Sequence, residues 1–318
     1  MGNFFKNLFK GKENENNEEK SNKKNFDILK YDGLRAQRIG QIAYAKKCFE
    51  SALELEEDFE TMGYLAQLYL QQEEFEKCES LLTRMIEMEP HMLSSYLTLA
   101  QVYFIQEAYQ EMANISTKAL EVDAESAAAH FLSAKALHGL TKESEAIAQL
   151  TKAIALKEEF VEAHLMRAEI LADTQHYDDA MEDIKIILDI VPEEETALLL
   201  SAKIKENTGA TEEAEQCYRQ ITEMNPFNDK AFIALGQLYI IQNRLAEAIE
   251  LFDEAIELNP SSEQAYHQRS RAKLLNGDKD GSEEDEKKAM ELSPIKGSHA
   301  QAKDLIHDAG NTLGLPFN

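Results

Sequence analysis

The chain has 318 residues and a formal net charge of −26, from 59 acidic and 33 basic residues, a field that repels nucleic acid and anionic lipid and draws in basic partners. Apolar residues make up 43%, enough to bury a core, but no apolar run approaches the length needed to span a bilayer. Only 13 Gly, 6 Pro and no Trp leave little room for a turn-rich β fold, so the composition points to an all-α chain.

The first 25 residues stand apart. They hold six Lys and four Glu, a net +2, while the remainder carries −28. Residues 11–25 have almost no apolar side chains to bury, so residues 1–25 are expected as a disordered segment with one short amphipathic helix. In that helix Phe4, Phe5, Leu8 and Phe9 are spaced i, i+1, i+4, i+5, with Lys6, Lys10 and Lys12 beside them. The stripe suits weak contact of residues 3–10 with a membrane surface, or docking to a partner, or it is an unremarkable terminus. It is too short and too interrupted for a secretory signal, and Lys6 stands where a myristoylation motif wants Ser or Thr.

From residue 26 a fixed period takes over. Five of the six prolines are Pro90, Pro192, Pro226, Pro260 and Pro294, with gaps of 102, 34, 34 and 34. A column of small residues reads Gly33, Ala66, Ala100, Ala134, Ala168, Ala202, Gly236 and Ser270, at an interval of 33 and then 34 throughout. Within one period Phe232, Leu235, Gly236 and Tyr239 mark one helix face. Asn243 breaks that helix, Ala248, Phe252, Ala255 and Ile256 mark a second, and Asn259-Pro260 ends it. Each period is therefore an antiparallel helix pair.

The set Phe232, Leu235, Gly236, Tyr239, Ala248, Phe252, Ala255 and Pro260 resembles the tetratricopeptide repeat signature nearly residue for residue. The second-helix Ala column reads Ala45, Cys78, Met112, Ala146, Ala180, Ala214, Ala248 and Ser282, and His130 and His164 stand in for the opening aromatic. The expected fold is all-α: a right-handed superhelical solenoid of about eight antiparallel helix pairs over residues 26–294. Residues 295–318 are expected as a C-terminal capping helix and tail, with Ser298 as N-cap and Ala302, Leu305, Ile306 and Ala309 as its apolar stripe.

The resemblance implies a concave groove, lined by the first helix of each pair, that holds a peptide or a partner's helix. The matching groove positions are Tyr64, Leu97, Gln101, Phe131, Leu132, Lys135, Leu165, Met166, Leu199, Leu200 and Ile233. This makes the groove apolar with scattered amides and cations, inside an acidic shell. Some family members clamp a C-terminal carboxylate with a Lys/Asn/Arg set. Only Lys30 and Lys230 match that set, each alone, so such a clamp is not expected.

No Gly-rich phosphate loop or paired-His motif is present, and Cys48, Cys78 and Cys217 lack metal-ligand spacing. No catalytic, cofactor or metal site is expected. The chain reads as a non-enzymatic, cytoplasmic interaction scaffold for a protein or peptide with an apolar or amphipathic segment, without nucleic acid. The competing reading is a self-assembling, homo-oligomeric or membrane-associated scaffold, moored at the inner membrane face by residues 3–10.

Overall fold

The computed structural model describes the backbone of residues 2–293 and the side chains of residues 20–293. Its described residues form sixteen α-helices and no strand. The expected capping helix and tail lie outside the described residues. The helices alternate in length with a regularity that follows the repeat. First helices (A) have 13 residues: α3 (Phe59–Gln71), α5 (Leu93–Ile105), α7 (Ala127–Gly139), α9 (Val161–Asp173), α11 (Glu195–Asn207), α13 (Asp229–Ile241) and α15 (Glu263–Leu275). Second helices (B) have 14: α2 (Ile42–Leu55), α4 (Phe75–Met88), α6 (Tyr109–Val122), α8 (Glu143–Leu156), α10 (Tyr177–Ile190), α12 (Thr211–Met224), α14 (Leu245–Leu258) and α16 (Lys279–Leu292).

The exception is α1 (Gly2–Arg38), with 37 residues. A disordered linker is expected through residues 11–25, but the helix runs through it without a break. No proline interrupts the stretch, and Lys and Glu are good helix formers even when nothing packs on them. Lys20 to Asn25 are exposed, and Phe26 is the first buried side chain among those described.

One local device closes every pair. The residue two positions past each A helix has left-handed backbone: Gly40, Glu73, Glu107, Thr141, Gln175, Gly209, Asn243 and Gly277. Their spacing is that of the small-residue column. After each, an amide donates back to a carbonyl five residues earlier, as from Lys142 to Leu137 (2.9 Å) and from Arg244 to Tyr239 (2.8 Å). This is a Schellman-type stop. Several A helices begin on a side-chain cap, with Asp58, Ser126, Asn228 and Ser262 accepting from the amides of Thr61, Ala129, Ala231 and Ala265.

The small column works by close approach. A Cβ on Gly33 would lie 2.6 Å from the Phe49 ring, and one on Gly236 would lie 2.6 Å from the Phe252 ring. Both phenylalanines are fully buried. The glycines therefore clear the space that these two rings fill.

The chain divides into two compact units, residues 1–170 and 171–318. In the first, one apolar core runs from Ala36 to Ala136, and a second gathers Ala134, Leu150, Ala153 and Ile170. There α5 packs on both α6 and α7. In the second unit the core runs from Leu198 to Ala272, and α13 packs on both α14 and α15. Cys48, Cys78 and Cys217 are all buried free thiols. Cys78 donates to the Ala66 carbonyl at 3.3 Å, and burial pushes its thiol up to about 11, so it is inert packing.

Candidate functional site

The position that opens the signature has a shared job in three successive repeats. Tyr96 donates to the Pro90 carbonyl (2.9 Å), His130 Nε2 meets the Ala124 carbonyl (3.1 Å) and His164 Nε2 meets that of Glu158 (3.0 Å). Each bond spans six residues and ties the A helix to the turn before it. His130 and His164 are buried and bonded in the manner of a tyrosine, which accounts for their equivalent positions.

The groove residues separate by burial. Leu132 is 7% exposed and Ile233 is 3% exposed, and both belong to the cores rather than to an open surface. A groove position whose neighbouring A helix packs closely is covered by it: Leu132 lies on α7, which packs on α5, and Ile233 on α13, which packs on α15. Tyr64, Leu97, Phe131, Lys135, Leu165, Met166, Leu199 and Leu200 are partly buried, and Gln101 is exposed. Tyr64 stacks on Phe49 (5.7 Å between centroids) and donates to Glu60 at 2.6 Å, which occupies its hydroxyl.

Within the first unit, α5, α7 and α9 bring part of this set around a cavity of about 300 Å³. Phe131 and Lys135 of α7 and Leu165 and Met166 of α9 line it, as expected. Phe104, Tyr109, His138 and Gly139 line it too and were not among the expected groove residues. The missed signal is simple: Phe104 and His138 lie one further turn along the face that carries Gln101 and Lys135. Gly139 matters because a Cβ there would collide with the Tyr109 ring, so its absence lets that ring form a wall. Phe104 meets Tyr109 edge-on at 6.4 Å, and Phe131 is braced against Phe160 at 5.0 Å.

The ammonium of Lys135 lies 3.5 Å from the centroid of Phe104 and 5.7 Å from that of Phe131. No hydrogen bond or ion pair reaches it among the described residues. Burial holds its pKa below the ordinary lysine value. Glu162 and Glu169 also line the cavity, and His138 Nδ1 is 2.8 Å from Glu143.

A larger cavity of about 420 Å³ lies against α2, α3 and α4, lined by charged residues such as Glu50, Lys77 and Arg84. Its cations are already matched: Lys77 pairs with Glu74 (2.6 Å) and Arg84 with Glu57. The Tyr69 phenol there donates to Glu50 at 2.8 Å, and burial raises its pKa. Both of its cations and Glu50 thus have internal partners.

With the repeat geometry in place, comparison with known proteins agrees on the class. The tetratricopeptide repeat family model matches residues 142–195 and 199–263. A tetratricopeptide repeat protein from Parabacteroides merdae is 18% identical, with a TM-score of 0.62 over 79% of this chain and 96% of that one. PilF of Pseudomonas aeruginosa is 16% identical, with a TM-score of 0.56 over 68% and 97%. The Cut9–Hcn1 assembly of the APC/C is 13% identical, with a TM-score of 0.58 over 89% of this chain and 55% of that one. Comparison with curated proteins gives no significant match. Residues 142–195 and 199–263 thus carry the tetratricopeptide repeat match, and the fold of the chain is similar to that of solved tetratricopeptide repeat solenoids.

Proposed function

We propose that the chain is a non-enzymatic interaction scaffold that holds a segment of another polypeptide against α5, α7 and α9. The observation that carries this reading is the cavity itself. It is lined by aromatic and apolar side chains together with Lys135, His138, Glu162 and Glu169, mostly from A helices, with Tyr109 added from α6. At about 300 Å³ it sits at the bottom of the range for ligand pockets, about 300–1,000 Å³, so it suits one or two side chains of a longer segment. The repeat fold is typically a scaffold for contacts between proteins, and Leu165 and Met166 offer the apolar contact such a segment needs.

A photo-crosslinking amino acid at Met166, compared with one at Ser80 in the other cavity, tests the site. Polypeptides captured from Met166 and lost on Phe131→Ala, with helical circular dichroism intact, support it. Equal capture from both positions would sink it. Leu132 is unsuitable for such substitutions because it is buried.

A moored, self-assembling scaffold is the second reading. Its support is the helical backbone of α1 at residues 3–10, the conformation that the Phe4, Phe5, Leu8, Phe9 spacing requires. Among the described residues no helix is long and apolar enough to cross a membrane, so any mooring would be peripheral. Liposome co-sedimentation of the full chain against one starting at Asn25 decides it, and equal partitioning removes the anchor.

A further inference from the structure

Among the described residues, the partly buried cations of this acidic chain are mostly matched by carboxylates. Lys30 sits 2.8 Å from Asp58 and 2.6 Å from Glu60, Lys46 pairs with Glu74, and Lys273 is 2.8 Å from Asp285. Lys135 is the partly buried exception among the described residues. The chain has 59 acidic residues against 33 basic ones, yet no described carboxylate pairs with it. Two braced rings hold its ammonium on the wall of a cavity. Rings compensate an ammonium for lost water only in part, and an anion entering the cavity would complete the compensation.

We propose that this pocket selects an Asp or Glu side chain adjoining a large apolar residue in the partner polypeptide, with Lys135 as the counter-ion of the carboxylate. The inference rests on the reading of the pocket as a polypeptide site and names what that site chooses. The apolar neighbour packs against Phe131, Leu165 and Met166, and the carboxylate reaches the ammonium beside Phe104. A carboxylate is the one common peptide side-chain group that gives an ammonium both a hydrogen bond and a full opposite charge. Glu162 and Glu169 line the same cavity, and Glu143 stands beside His138. These acids limit the ligand to one carboxylate with neutral or basic flanks, in keeping with a net charge of −26 that steers basic segments toward the protein. A free C-terminus fits less well. With one cation and no second donor set, the pocket suits a side-chain carboxylate that keeps part of its hydration.

The test is a titration of the full chain carrying ¹³C-methyl methionine, with the Met166 signal assigned by Met166→Leu. The probes are acetyl-Ala-Ala-Phe-Glu-Ala-Ala-amide, its Phe-Gln counterpart, and Ala-Ala-Phe with a free carboxylate. The Glu peptide is expected to bind about tenfold more tightly than the Gln peptide. Lys135→Met is expected to erase that ratio while Met166 still responds to both peptides. Equal binding of Glu and Gln peptides to the unaltered chain, or a ratio that survives Lys135→Met, overturns the inference and leaves the groove reading standing. Tighter binding of the free-carboxylate peptide overturns the assignment to a side chain. Silence of Met166 with every probe overturns both readings.

Discussion

Two partly buried cations, one in each unit, are treated in opposite ways. In the second unit Arg269 of α15 bonds both oxygens of Asp285 on α16 at 2.6 and 2.8 Å, and Asp253 of α14 at 2.6 Å, while Lys273 adds a further contact to Asp285. Ser270 donates to the Ser282 carbonyl beside them at 2.9 Å. In the first unit Lys135 has rings and no acid. Hydrogen bonding to Asp285 holds the Arg269 pKa above its ordinary value, whereas burial holds that of Lys135 below its own. A cation that is matched stitches helices together. A cation that is left over costs the fold something and is available to a ligand.

The largest effect should come from the matched site. Asp285→Ala strands Arg269 and Lys273 and should cost about 2–4 kcal/mol, read as a lower urea midpoint. A loss under about 0.5 kcal/mol would show that the seam is ornamental. The same site predicts the acid limb of stability. Hydrogen bonds from Arg269 and Lys273 outweigh desolvation and lower the Asp285 pKa from 3.8. Its contribution is therefore fully present above about pH 4 and lost as pH falls through the lower folded value. Asp285→Ala should flatten the stability curve below pH 4.

Next in size is the wall of the pocket. Gly139→Ala drives a methyl into Tyr109 and should cost about 1–3 kcal/mol, less the helix propensity regained. Tyr109→Ala in the same background should recover part of that loss. No recovery would mean that the ring does not depend on the glycine.

Smallest and opposite in sign is Lys135→Met, which should leave stability unchanged or raise it by up to about 1 kcal/mol. The sign follows from a folded pKa below 10.5. The cost of the buried charge is fully present below that folded value and is relieved as pH rises through it toward 10.5. A loss above about 1 kcal/mol on Lys135→Met would contradict the contrast with Arg269. Backbone strain offers a control of similar size away from both sites: Glu73 has φ +57°, so Glu73→Gly should stabilise by about 1 kcal/mol without affecting binding.

Periodicity made the helix pairs readable because packing repeats it. The column from Gly33 to Ser270 marks close approach, and Asn243 marks one of eight left-handed turns. Four of the others were harder to see because Glu73, Glu107, Thr141 and Gln175 do not favour that backbone. It is the Schellman bonds around them that hold them there. The site was partly legible. Phe131, Lys135, Leu165 and Met166 do meet, because equivalent positions of successive A helices lie side by side. Leu132 and Ile233 were misplaced because a heptad-like spacing does not tell an exposed groove position from one covered by the next helix. Tyr109 was invisible because it belongs to a B helix and reaches the pocket only through the space left by Gly139. The long helix α1 was missed because low apolar content argues against packing, whereas the eight Lys and Glu of residues 12–24 favour helix without it.

The most direct measurement is a crystal structure of the chain with the acetyl-Ala-Ala-Phe-Glu-Ala-Ala-amide peptide. The expected result places a Glu carboxylate oxygen about 2.7–2.9 Å from Lys135 Nζ, with the phenyl ring against Met166. A peptide seated elsewhere, or a carboxylate left in solvent while Lys135 stays on Phe104, would contradict it.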